Sequence, residues 1–277
     1  IIFRNVIAMM SHKVGAVVQN STTNILMSAF VGVYWVGIYS NYLLIINAIN
    51  SFVIQLFGSM SASLGNLSET EDENRVYSIY KTLLFLAFWV YGFCSICFFV
   101  LFNPFIKTWI GEKYLLDQFT IGVIVTNYFL LGVSTVSKNY INISKLFWNT
   151  KLKPWLTVII NLSASIIFVK LFGFIGLFLG ALLSVILTDF WIDPFVLFNN
   201  RFKDSLRSYF LSYLRQTIII IFVGIITYFV CNIFEDIVVK ILICGLMPNI
   251  LLLSIHYKSV EFKYLFKTIN TLKIRLK

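Results

Sequence analysis

Apolar residues fill this chain in blocks about twenty residues long, with polar positions gathered between the blocks. A helix needs about 20 apolar residues to cross the hydrocarbon core of a bilayer. Eight blocks meet that length: 12–34, 38–65, 81–104, 116–142, 153–172, 174–198, 210–232 and 236–256. "WVG" separates the first two, and "FGFIG" separates the fifth from the sixth, where Gly173 and Gly176 permit a tight reversal. The longest link, "NLSETEDENRVYSIY" near 66–80, is acidic, and Thr70 and Glu73 have the spacing of a capping box. The pattern predicts an all-α polytopic membrane protein of about eight transmembrane helices.

Composition agrees. The chain is 59% hydrophobic and 12% charged, with a mean hydropathy of +0.86, whereas a soluble domain is about 25% charged. Charge then gives orientation. Of the 22 Lys and Arg residues, 17 fall on the side shared by both chain ends; Lys107, Lys113, Lys170 and Lys240 fall on the other, and the remaining one, Lys138, is assigned to the fourth span itself. The excess of Lys and Arg on cytoplasmic loops therefore predicts both ends inside. Trp35 and Trp109 are expected at the outer interface, and Trp148, Trp155, Tyr209 and Tyr213 at the inner one. In the tail 257–277, Phe262, Leu265, Phe266, Ile269 and Leu272 form one helical stripe opposite lysines, a pattern that lies on anionic lipid. The net charge of +10 thus reflects topology and this tail, and no nucleic-acid partner is expected without a basic folded domain.

Polar residues inside apolar blocks are the candidates for function, because an unpaired amide or charge is unfavourable in hydrocarbon. Asn20, Asn24 and Ser28 recur every four residues in the first span, and Asn47, Ser51 and Gln55 in the second. They predict a hydrated cavity offering hydrogen bonds to a polar cargo; interhelical polar contacts are the alternative. Lys138, near the inner end of the fourth span, is either a cationic contact for a phosphate in that cavity or a side chain reaching the headgroups. Asp189 and Asp193 stand one turn apart in the sixth span, just before Pro194, which weakens a helix. They suggest a proton or sodium coupling site, with salt bridges to a neighbouring helix or simple hydration as alternatives. The four cysteines read as buried small hydrophobes, and the distant His12 and His256 form no pattern for a metal or a nucleophile. No cofactor, metal or enzymatic activity is expected.

Three stretches carry a resemblance. "KLKPWLTVIINLSASIIFVKLFGFIGLFLGALLS" (Lys151–Ser184) has a Lys-Pro opening, an early Asn and a G-x-x-G-x-x-x-G run at Gly173, Gly176 and Gly180. "FVGVYWVGIYSNYLLIINAI" has a G-x-x-x-V-G-x-Y turn at Gly32, Val36, Gly37 and Tyr39, and "FWIDPFVLF" has a W-x-acid-P-x-x-L segment. In this order they resemble the Wzx-type flippases of lipid-linked oligosaccharides, within the multidrug/oligosaccharidyl-lipid/polysaccharide exporters. The resemblance implies the second six-helix lobe of a two-lobe exporter (1–198), two additional helices (199–256) and the basic tail (257–277). The chain opens at Ile1 without an initiator Met or a signal-peptide pattern, so a first lobe is expected to precede it.

The resemblance further implies alternating access for an undecaprenyl-pyrophosphate-linked repeat unit in capsule or exopolysaccharide synthesis at a bacterial cytoplasmic membrane. The expected partners are that cargo, the first lobe, membrane lipids, a polysaccharide polymerase and a chain-length regulator. A multidrug exporter of the same superfamily would have a less polar, more aromatic cavity. A membrane polymerase or ligase would carry a large outer loop with catalytic Arg, His or Asp; here the outer links are short, and Lys107, Glu112, Lys113 and Asp117 are their main charge group.

Overall fold

The computed structural model describes residues 2–70, 72–202 and 204–265, with the side chains of 2–6, 8, 16, 18–21 and 59–70 outside that description. The second half of the predicted tail stripe, Phe266, Ile269 and Leu272, also lies outside the described residues. The described chain folds into α1 (Ile2–Phe30), α2 (Val33–Thr70), α3 (Glu73–Ile110), α4 (Gln118–Ile143), α5 (Lys153–Phe172), α6 (Phe174–Leu187), α7 (Ile192–Asn200), α8 (Leu206–Asn232) and α9 (Ile237–His256). Single 3₁₀ turns occupy Glu112–Tyr114 and Leu146–Trp148. Among the described residues, seven helical stretches are long and apolar enough to cross a membrane, with α6 and α7 counted together as Phe174–Asn200. The protein is an all-α polytopic membrane protein.

The core forms around α3, which buries one flank against α4 and the other against α8 and α9. α5 and α6 make a close hairpin, and α1 leans on α5. Gly173 takes φ 65°, a region where a side chain would meet steric conflict and glycine does not, and turns the chain. A Cβ on Gly176 would lie 2.1 Å from the Phe168 carbonyl oxygen, and one on Gly180 would lie 2.4 Å from the Ser165 backbone nitrogen. Gly176 and Gly180 of the G-x-x-G-x-x-x-G run are therefore where the two backbones touch.

Three expectations change. The acidic link is short: α2 continues to Thr70, since no Pro or Gly after Gly65 stops it, and α3 starts at Glu73 with an extended Asp72 as its N-cap. Glu73 is then the first helical residue, where the Thr70–Glu73 capping box would need it at the third. Tyr209 and Tyr213 are buried within the bundle, 5% and 6% exposed. α8 packs on α3, so Tyr213 meets Phe88 and Phe190 at 4.8 and 5.0 Å between centroids, and Tyr209 meets Phe198 at 5.5 Å. The block 174–198 is not one helix; it breaks between Leu187 and Ile192.

The thiols of Cys94, Cys97, Cys231 and Cys244 are free, and three are buried. Polar ties also hold the bundle at its α3–α4 end. The fully buried Tyr42 hydroxyl accepts from Leu116 N at 2.9 Å and donates to Asn103 Oδ1 at 2.9 Å. Tyr42→Phe keeps the ring but strands a buried N–H. We expect a loss of about 1–3 kcal/mol, read as a lowered melting temperature in detergent; an unchanged value would refute the role given to this hydroxyl.

Candidate functional site

Pro194 sets the site. It has no backbone N–H, and its ring crowds the carbonyl four residues earlier, at Phe190, so a continuous helix is disfavoured here. The chain opens at 188–191, and Phe190 N reaches back to Val185 O at 3.0 Å. Asp189 sits in the opening and Asp193 in the first turn of α7, where a carboxylate meets the favourable end of the helix dipole. Both are nearly inaccessible, 3% and 2% exposed.

Both carboxylates are ion-paired. Lys153, the first residue of α5, places its Nζ 2.7 Å from Asp189 Oδ1 and 2.5 Å from Asp193 Oδ2. Lys138 of α4 reaches the same Asp189 Oδ1 at 2.8 Å. Two lysines and two aspartates from α4, α5, α7 and the break thus form one neutral cluster. Lys153 is 6% exposed and Lys138 37% in their side chains, so Lys138 is not, as the sequence suggested, the sole cation inside the bundle.

A polar ladder climbs α5 away from the cluster. Thr157 Oγ1 donates to Thr188 Oγ1 at 2.9 Å, and Thr188 passes its own hydrogen to Ser184 O at 2.7 Å. Asn161 Nδ2 lies 3.4 Å from Ser184 Oγ, and Ser165 Oγ lies 3.3 Å from Leu177 O. Positions 153, 157, 161 and 165 recur every four residues, and the drift of that spacing carries their partners from α7 and the break, at 153 and 157, to α6, at 161 and 165.

Two cavities meet at Lys138. The smaller, about 210 Å³, is lined by His12, Gly15, Asn142, Pro154, both lysines and both aspartates. The larger, about 630 Å³, lies among α1, α2, α4 and α6 and is lined by Asn24, Asn47, Asn50, Asn127, Asn161 and Thr135 among apolar residues, with Lys138 at its edge. Asn127 donates to Val123 O and Phe178 O, and its Oδ1 has no hydrogen-bond partner among the described residues. No protein-family model, curated protein or solved structure matches this chain. The site is therefore interpreted from its own chemistry.

The structure brings together Asn24, Asn47 and Lys138 on one cavity and Asp189 and Asp193 on the adjoining one. Ser28, Ser51 and Gln55 are exposed and lie off the cavity wall, and the side chain of Asn20 lies outside the described residues. Helix geometry explains the split. Each residue turns about 100°, so a spacing of four drifts about 40° per step and leaves Gln55 about 80° from Asn47. The wall of α2 instead follows Tyr39, Leu43, Ile46, Asn50 and Ile54, the 3–4 alternation that stays on one face. Sequence reasoning missed Lys153, which stands among the charges at the start of its span, and the α5 ladder. The signal available was a Lys before Pro followed by Thr157, Asn161 and Ser165 at intervals of four. Among the described residues no group of three or more His, Cys, Asp or Glu forms a metal site.

Proposed function

We propose that this chain is the second lobe and additional helices of a flippase that moves lipid-linked oligosaccharide across the bacterial cytoplasmic membrane, with both chain ends in the cytoplasm. The observation that carries the reading is the amide-lined cavity of about 630 Å³ between membrane-crossing helices, with a cation at its edge. Asparagine side chains both donate and accept, which suits sugar hydroxyls. Lys138 suits the phosphate of an anionic cargo. When Lys138 turns to the cargo, Asp189 keeps Lys153, so no carboxylate is left bare. The same pairing favours the salt-bridge account of Asp189 and Asp193 over an ion-coupling site, since both carboxylates are already engaged. Alternating access needs no covalent step.

The deciding experiment depletes the intact gene in its native host and follows the radiolabelled lipid-linked repeat unit across the two leaflets. Accumulation on the inner leaflet with loss of surface polymer supports the flippase; accumulation of single units on the outer leaflet would indicate a polymerase instead. Lys138→Gln is expected to fold, because Asp189 retains a partner. Its transfer rate should fall about 10- to 100-fold, the loss of one hydrogen bond to a charged group. Unchanged transfer would remove Lys138 from cargo binding.

A further inference from the structure

A cavity of about 400 Å³ lies outside the site above, where α3 begins, α8 begins and the chain leaves α9. Lys81 and Arg215 line it with Ser208, Ser212, Gln216 and the opposing Glu261. Lys81 is eight residues into α3 and Arg215 nine into α8, so at about 1.5 Å per residue both stand at a similar depth from their helix starts. Lys81 Nζ rests 4.6 Å from the centre of the Tyr77 ring. Among the described residues neither cation has a carboxylate within salt-bridge distance. The floor is fixed: Gln216 Oε1 lies 2.9 Å from His256 Nε2, and both residues are buried. Deeper along α3 the wall becomes apolar through the buried Leu84, Phe85 and Phe88, while Leu211, one turn nearer the start of α8 than Arg215, is 57% exposed.

We propose that this cavity holds the phosphate headgroup of an anionic phospholipid. Two cations with no salt bridge among the described residues line this cavity together with two hydroxyls, between the starts of two membrane-crossing helices. Basic pockets between transmembrane helices bind such headgroups, each basic residue near the surface contributing about fivefold in affinity. The volume falls in the range of about 300–1,000 Å³ usual for small-molecule sites. A free anion would have no use for the apolar wall, so the site is committed to a lipid. The inference depends on the membrane-spanning fold and not on the flippase reading.

The test is native mass spectrometry of the purified protein released from nanodiscs containing phosphatidylglycerol or phosphatidylcholine. Phosphatidylglycerol should be retained and phosphatidylcholine should not. Lys81→Gln with Arg215→Gln should reduce retention roughly 30-fold, while Lys107→Gln with Lys240→Gln, at other helix ends, should leave it intact. Ser212→Phe, which fills the cavity and keeps both charges, should also reduce retention and serves if the double variant does not fold. Equal retention of the two lipids, or undiminished retention in a folded cavity variant, would overturn the proposal. Displacement of the lipid by millimolar inorganic phosphate would overturn it in favour of a free-anion site.

Discussion

Lys153→Ala should abolish accumulation of folded protein. The substitution leaves Asp193 buried with no cation and Asp189 with only the partly exposed Lys138. Removing one partner of a buried ion pair costs about 3–5 kcal/mol, because the remaining charge keeps its desolvation penalty and loses its compensation. Set against a typical total of about 5–15 kcal/mol, this is enough to unfold a marginal protein. The charge argument makes a second, sharper statement. Lys153→Met combined with Asp193→Leu removes a matched pair and leaves Lys138 with Asp189, so much of the lost stability should return. Size-exclusion profiles and melting temperatures in detergent test both. A single variant that melts with the native protein, or a double variant no better than the single, would show that the cluster does not hold the bundle together.

The α5–α6 contact gives the other large effect. Gly176→Leu must push its side chain into the Phe168–Val169 backbone, which cannot withdraw without separating the hairpin. Overpacked cores commonly lose about 1–3 kcal/mol and sometimes more; with backbone as the obstacle the upper end is expected. Gly37→Ala is the matched control. Gly37 lies within α2, and no heavy atom stands within 4 Å of its added Cβ, so the change should be neutral or stabilising by about 0.5–1 kcal/mol. The comparison is of melting temperatures, and equal shifts in the two variants would refute a backbone contact at Gly176.

The helices were legible because length and apolarity decide them, and the reversal at Gly173 was legible because few residues other than glycine turn there. Lys138, Asp189 and Asp193 stood out as charges in oily surroundings. Lys153 did not, because its position beside Lys151 and Trp148 resembles an interface; only the break created by Pro194, which turns both aspartates toward α5, shows that it is buried. The polar wall was half legible. A spacing of four marks the right helices, but the drift of that spacing around a helix selected Gln55 over Asn50. Asn161 shares a spacing of four with Thr157 and Ser165, but that pattern alone does not tell a helix contact from a cavity wall, and only the packing of α4 and α5 on α6 brings Asn127 and Asn161 to the cavity.

The neutral cluster has an electrical consequence. Carrying one elementary charge across a membrane held at 100 mV involves about 2.3 kcal/mol of work. Lys138, Lys153, Asp189 and Asp193 sum to zero, so a displacement of the four together involves almost none. A motion of the quartet as a unit is therefore insensitive to voltage. Any dependence of the cycle on membrane potential must come from charges outside the quartet, or from a moment when Lys138 leaves Asp189 and the balance is broken.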